Sequence, residues 1–273
     1  MISYGLSASC LREMSLQETV ETISAQGFAV IEVSADEPKW WSHPDQRREL
    51  LSSKGISIRS VHAGQISWDL SAPDPDEREK AQEGLLRSCR QAVELGVDLV
   101  ICHVNGPKSN YTQADYESNM ELAAQSLTMA AASAGEIGVR LAVETMVARG
   151  QRRPGNHVSE ILEMIKPLGE HIGICVDTGH TNSGGSDVAA EILAAGDRLF
   201  ATHLQDNLGQ ADEDPHLFPG RGSIDWDSVL DALGKLDFTG PRTIEINLAN
   251  SELPQAEAMA RLGEIRRQWQ QRR

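Results

Sequence analysis

Positive charge is scarce in this chain of 273 residues: 25 lysines and arginines stand against 40 aspartates and glutamates, a formal net charge of −15. Such a surface repels phosphate backbones and anionic membrane on average, so neither nucleic acid nor membrane is an expected partner. No window approaches the roughly 20 apolar residues that a membrane span needs. The opening MISYGLSAS has neither the basic nor the apolar region of a secretory signal. Cysteine is sparse as well. Cys10, Cys89, Cys102 and Cys175 are widely spread, and two of them fall inside predicted buried strands. That pattern excludes a zinc ribbon and a disulfide framework and fits a reducing, cytoplasmic setting. There is no long linker, no low-complexity tract and no glycine-rich dinucleotide fingerprint after the first strand, where YGLSASC stands instead. A soluble protein acting on a small molecule is the expectation these absences leave.

What is present is a repeat of pattern. Strand-like segments begin near Ile2, Ala29, Ser57, Leu99, Arg140, Ile172, Leu199 and Arg242. Helix-like segments with apolar positions at the 3.6-residue period follow them, over Leu16 to Ala25, Asp45 to Lys54, Asp76 to Leu95, Thr112 to Ile137, Val158 to Leu168, Val188 to Ala195, Trp226 to Leu236 and Gln255 to Gln270. Gly27, Gly55, Gly96 and Gly138 each stand where a helix stops, with an apolar residue entering the next strand. Asp74, Asn156 and Asp225 are predicted helix caps. Eight βα units without a composition shift predict an α/β fold, a closed (β/α)8 TIM barrel forming one domain over residues 1–273, rather than an open doubly wound sheet.

In such a barrel the chemistry lies at the carboxyl ends of the strands. The stretch GICVDTGHTNSGG, Gly173 to Gly185, shows what happens there: a buried β-branched run breaks at Asp177 and His180. A carboxylate and an imidazole at such a place are costly to desolvate unless a metal or substrate uses them. LAVETM places Glu144 at another strand end, FATHLQDN places His203, and RTIEIN places Glu245. His62 follows SIRSV, His103 follows LVIC, and the loop after the seventh strand adds Asp214 and His216. Any one of these fits a hydrogen-bonded or solvated side chain. The set, arriving from six strands, has the composition of a divalent-metal site.

The most specific pieces, VDTGH, THLQDN and HLFPGRGSIDW, together with the strand-end order Glu, Asp, His, Glu, resemble the sugar phosphate isomerase/epimerase superfamily. These are the xylose isomerase-like barrels, which include ketose 3-epimerases, inosose isomerases and dehydratases, and endonuclease IV. The resemblance runs over nearly the whole chain. It implies that Glu144, Asp177, His203 and Glu245 hold one divalent cation, with His180 touching a sugar-like substrate. Mn²⁺, Zn²⁺, Mg²⁺ and Co²⁺ all suit a mixed oxygen and imidazole set. Chemistry leads the same way, because isomerising or epimerising a sugar removes a proton beside a carbonyl, and a cation stabilises the enediolate that results. Glu144 and Glu245 are the expected acid/base pair, one on each face of the planar intermediate.

Substrate contacts are expected from His62, His103, His180 and His216. Arg149, Arg152 and Arg153 in the loop after the fifth strand are candidates for a substrate phosphate or carboxylate, and Trp68, with Trp40 and Trp41, for a pocket wall. PGRGSIDW reads as a tight loop closing over the site. One departure stands out: where related ketose 3-epimerases carry an arginine a few residues beyond the metal histidine, this chain has Gly209. Two rival readings use the same residues. A metal-dependent dehydratase or lyase needs the same centre. His62, His103, Glu144, Asp177, His180, His203, Asp214, His216 and Glu245 also match, position by position, the nine ligands with which endonuclease IV holds three zinc ions, although the acidic balance opposes a DNA enzyme. Barrels of this kind often pair, and a homo-oligomer is compatible with the sequence.

Overall fold

A strand that is apolar on both faces must be covered on both, and a parallel sheet closed on itself inside a ring of helices achieves this. The computed structural model of the chain describes residues 4–64, 68–106, 112, 115–148, 153–211 and 213–272. In chain order the elements are β1 (Tyr4–Ser7), α1 (Leu16–Ala25), β2 (Val30–Ser34), α2 (Pro44–Lys54), β3 (Ser57–His62), α3 (Pro75–Leu95), β4 (Leu99–Cys102), α4 (Tyr116–Glu136), β5 (Arg140–Glu144), α5 (Val158–Ile165), β6 (Ile172–Asp177), α6 (Thr178–Ser183), α7 (Val188–Ala195), β7 (Leu199–Leu204), α8 (Trp226–Lys235), β8 (Arg242–Ile244) and α9 (Gln255–Gln271). The strands form one closed parallel barrel in the order β1 to β8. Closure comes from β1 on β8, with Tyr4 opposite Arg242 and Leu6 opposite Ile244.

Strand parity sorts the side chains. Leu99, Ile101, Ala142, Cys175 and Ala201 form a small cluster of their own inside the barrel. Their neighbours Val100, Leu141, Val143, Ile174 and Val176 belong to the larger core shared with the helices. Since side chains alternate along a strand, stepping two residues from Ala142, Cys175 and Ala201 brings Glu144, Asp177 and His203 to the inside of the mouth. Ile101 leads to His103 in the same way. Parity alone therefore aims the polar residues inward.

The predicted punctuation holds in most places. Gly55 and Gly96 end α2 and α3 at φ +63° and +70°, a left-handed conformation open to glycine because it has no Cβ. Asp74 accepts from Asp76 N–H and Asp225 from Asp227 and Ser228 N–H. Four places differ, the first being α4, which begins at Tyr116 rather than Thr112. Asn156 is not a cap: its Oδ1 accepts from Arg153 N–H at 2.7 Å and its Nδ2 donates to Met146 O at 2.8 Å, so it ties the β5–α5 loop together while His157 occupies the cap position. Helix α5 stops at Ile165 rather than Leu168, because Pro167 has no N–H to continue the helical hydrogen bonds. Residues 178–183, polar and small, fold into the short α6 because Asp177 caps them. Among the described residues no helix is long and apolar enough to cross a membrane.

All four cysteines are free thiols, and Cys89, Cys102 and Cys175 are buried. Burial pushes the Cys10 and Cys89 thiols up to about 12 and raises Cys102 and Cys175 too, and Cys10 differs only in being partly exposed. Only the thiolate reacts. Titration of the native protein with a chromogenic disulfide at pH 8 should therefore find at most one reactive thiol, Cys10, and four after denaturation. Three or more fast thiols in the native state would contradict the packing of the barrel.

Candidate metal centre

Glu144 ends β5, Asp177 ends β6, His203 is the penultimate residue of β7, and Glu245 directly follows β8. Parallel register sets Asp177 beside His203 and His203 beside Thr243. His203 Nδ1 lies 3.0 Å from Glu144 Oε1 and 3.1 Å from Glu245 Oε2. One ligand atom from each of Glu144, Asp177, His203 and Glu245 lies within 4.8 Å of the others. Asp177 Oδ1 accepts from His180 N–H at 2.7 Å and from Gln205 Nε2 at 3.1 Å. Asp177 Oδ2 is buried with no hydrogen-bond partner among the described residues. A buried carboxylate oxygen left without a donor costs free energy unless something positive meets it. The donor set fits a divalent cation on that ground.

Two further groups flank this one. His62 Nε2 and His103 Nε2 lie 3.3 Å and 2.8 Å from Glu144 Oε2. On the other side, His180 Nε2 and His216 Nε2 lie 3.1 Å and 3.3 Å from the two oxygens of Asp214. Three of these imidazoles are oriented alike. Nδ1–H of His62 donates to Ala63 O, that of His180 to Thr145 O and that of His216 to Glu245 O, at 3.0, 2.8 and 3.2 Å. A ring that donates through Nδ1 turns Nε2 toward the carboxylates, the arrangement of an imidazole prepared for a cation. His216 holds this orientation at φ +47°, an uncommon backbone state for a residue with a side chain.

The electrostatics follow from burial and pairing. Burial alone would lower His62, but the hydrogen bond and charge of Glu144 raise it to about 9. His103 shares Glu144 and is still held low by burial. Burial lifts the Asp177 carboxyl to about 6. Burial would raise Glu245 as well, but the charge and hydrogen bond of His203 bring it down to about 2. Asp214, pressed by His180 and His216, is well below the carboxylate range despite its burial. The mouth thus carries closely opposed charges in a low-dielectric setting, as expected of a functional site.

A cavity of about 290 Å³ opens on these residues, close to the lower end of small-molecule pockets, about 300 Å³. His62, His103, Glu144, His180, His216 and Glu245 all line it. Arg153 lines it too, buried, with Nη2 donating to Gly106 O at 2.6 Å. Arg149 and Arg152 lie outside the described residues. Arg12 and Asp36 line it from loops, which the strand-end pattern does not reveal, and Ser34 lines it from the end of β2. The tryptophans are placed elsewhere than predicted. Trp40 is fully buried, its Nε1 donating to Glu37 Oε2 at 3.2 Å. Trp41 packs on the core. Trp68 lies against Gly84 of α3, where an added Cβ would come within 2.1 Å of the indole, and does not line the cavity. Large apolar rings are better satisfied by that packing than by a wet rim.

The loop carrying Asp214 and His216 is held from below by Asp206. Its buried carboxylate accepts from Gly220 N–H at 2.8 Å, Ile224 N–H at 3.3 Å and Trp226 Nε1 at 2.9 Å. The backbone of Asp206 pairs with Leu217. PGRGSIDW therefore folds onto Asp206 and Asn207. Asp206→Ala leaves these donors unsatisfied, and a loss of about 3 kcal/mol in urea unfolding is expected. A loss below ~0.5 kcal/mol would mean that the loop is held in another way.

A (β/α)8 barrel with carboxylates and imidazoles gathered at the carboxyl ends of its strands is the class that fold and site define. The chain belongs to the Xylose isomerase-like TIM barrel family, whose model matches residues 20–265. It is 23% identical to a D-psicose 3-epimerase of Ruminiclostridium cellulolyticum over 83% of this chain and 76% of that protein. It is also 23% identical to a probable endonuclease 4 of Acholeplasma laidlawii over 77% of this chain and 75% of that one. The solved structure of a D-tagatose 3-epimerase-like protein superposes with a TM-score of 0.82 at 21% identity, covering 98% of this chain and 97% of the other.

Proposed function

We propose that the protein is a divalent-metal-dependent isomerase or epimerase of a sugar, sugar phosphate or cyclitol. The observation that carries this reading is the convergence of Glu144, Asp177, His203 and Glu245, with Asp177 Oδ2 buried and unpartnered. A Mn²⁺, Zn²⁺, Mg²⁺ or Co²⁺ ion among them would stabilise the negative charge that develops on a sugar's oxygens as a proton leaves the neighbouring carbon. Glu144 and Glu245 approach His203 Nδ1 at 3.0 and 3.1 Å, and each has a second oxygen. Among the described residues that of Glu245 has Ser7 Oγ at 3.4 Å, whereas that of Glu144 faces His62 and His103. Glu245 is accordingly the freer base, and Glu144 exchanges its proton with the help of two imidazoles. One takes the proton from one face of the planar intermediate and the other returns a proton on the opposite face. His180 and His216 orient substrate hydroxyls, and Arg153, with Arg149 and Arg152, receives an anionic group if the substrate has one. The epimerases among the relatives support this reading. In a dehydratase the same proton removal would be followed by loss of water.

The three neighbouring ligand groups favour a second reading, a trinuclear zinc phosphodiesterase, in keeping with the endonuclease relative. A net charge of −15 opposes it, because phosphate neutralisation supplies most non-specific affinity for DNA. Metal analysis with substrate panels in deuterated water separates the possibilities. One ion per chain and deuterium at carbon without other change of mass is the expected result. Loss of water marks a dehydratase. Three zinc ions with incision of abasic DNA would overturn the isomerase reading.

A further inference from the structure

Below the mouth, β2 carries a carboxylate in the middle of an apolar strand: Glu32 in VIEVS is 1% exposed. Its two oxygens are engaged separately. Oε2 accepts from Ser60 Oγ of β3 at 2.6 Å. Oε1 lies 2.9 Å from His203 Nε2, on the side of the ring away from Glu144 and Glu245; the two atoms are not aligned as a hydrogen bond, and neither has another hydrogen-bond partner among the described residues, so the contact is one of charge and distance. His203 is itself wholly buried and stacks on His62 with ring centres 5.6 Å apart. Stacking limits sideways tilt but leaves the ring able to flip, which would exchange Nδ1 and Nε2.

We propose that Glu32, anchored by Ser60, is a positioning residue that fixes the orientation and tautomer of His203, keeping the proton on Nε2 and turning Nδ1 toward the cation site. The inference rests on the metal-dependent reading above. A buried carboxylate is costly, and one side is satisfied by a hydroxyl, so a proton on the ring nitrogen 2.9 Å away is what would balance the other. With the ring proton drawn to Nε2 by the charge of Glu32 2.9 Å away, the lone pair the ring presents is on Nδ1, between the carboxylates of Glu144 and Glu245. The carboxylate also raises the basicity of the ring as a ligand, the usual effect of such a partner. Glu32 touches neither cavity nor cation site, so it acts only through His203.

The test measures Zn²⁺ affinity by chelator competition on the full chain, with the unfolding midpoint of the metal-free protein as a second readout. Glu32→Gln keeps the shape and one acceptor but loses the charge. Ser60→Ala leaves the carboxylate in place and frees one of its oxygens. Zn²⁺ binding about 10- to 100-fold weaker in Glu32→Gln is expected, with a smaller loss in Ser60→Ala. In ¹⁵N spectra of the metal-free wild type at alkaline pH, His203 should be protonated at Nε2, and the variant should show both tautomers. Wild-type Zn²⁺ affinity in both variants overturns the proposal even if their unfolding midpoints fall, since that would be a purely structural role. A wild type that binds no Zn²⁺, Mn²⁺ or Mg²⁺ overturns the metal reading itself, which distinguishes the two failures.

Discussion

Glu144→Gln and Glu245→Gln are each expected to lower turnover by about 10²- to 10⁴-fold, and to do so asymmetrically. A carboxamide keeps the shape of the glutamate but cannot accept a proton. If the two carboxylates serve opposite faces of one intermediate, losing one should leave the other able to remove the proton on its own side. Each variant should then exchange substrate hydrogen with deuterated water in one epimer and not in the other, followed by proton NMR. The two are not equivalent in their surroundings. Glu144 is 1% exposed and engages His62, His103 and His203, whereas the Glu245 side chain is 18% exposed and engages His203, with Ser7 at 3.4 Å. Glu144→Gln should consequently lose more stability, because two imidazoles then face a neutral group. Equal exchange from both epimers in both variants would sink the two-base role and leave the glutamates as ligands only.

Chelation is expected to abolish activity and to lower the melting temperature by an amount of order 10 °C, with Mn²⁺, Zn²⁺, Mg²⁺ or Co²⁺ restoring both. The cause is like-charge crowding: Glu144, Asp177 and Glu245 converge, and one oxygen of Asp177 is buried without a partner. An ion held at 1,000 times its dissociation constant adds about 4 kcal/mol. The sign with pH follows from the ligands. His203 Nδ1 and the Asp177 carboxyl, which burial lifts to about 6, must both be free of protons to bind. The stabilisation by metal should therefore fade as pH drops toward 5, and it should keep growing above neutral pH, because despite burial the neighbouring Cys175, Glu245 and Glu144 hold the His203 imidazole protonated above its usual range. Asp177→Asn should remove most of it. Melting curves unchanged by chelator and by all four ions would remove the metal centre from consideration.

Most of the site was legible because a parallel barrel turns a one-dimensional rule into a three-dimensional address. Glu144, His203 and Glu245 follow apolar runs and Asp177 breaks one, and once the barrel is accepted its strand ends share one mouth. The misplacements are equally physical. Trp68 and Trp40 look like pocket walls from their position after strands, but their rings are claimed by Gly84 and by the core. Asn156 looks like a cap but is drawn to Met146 O and Arg153 N–H. Such competition between partners is settled by distances that the order of residues does not contain. Glu32 was passed over for another reason. Its signal, a lone carboxylate within VIEVS, has meaning only when the residue facing it across the barrel is known to be His203.

The order of residues by itself determined the number of βα units, their punctuation by glycine and aspartate, the barrel class, and which carboxylates and imidazoles stand at strand ends. All of these follow from periodicity and from local backbone chemistry, which act over a few residues. Only the tertiary structure decided that β1 pairs with β8, that Asp177 keeps one oxygen unpartnered while the other caps α6, and that Nδ1 of His203 faces the carboxylates while Nε2 faces Glu32. Those are choices among partners far apart in the chain, and burial makes each of them costly to get wrong.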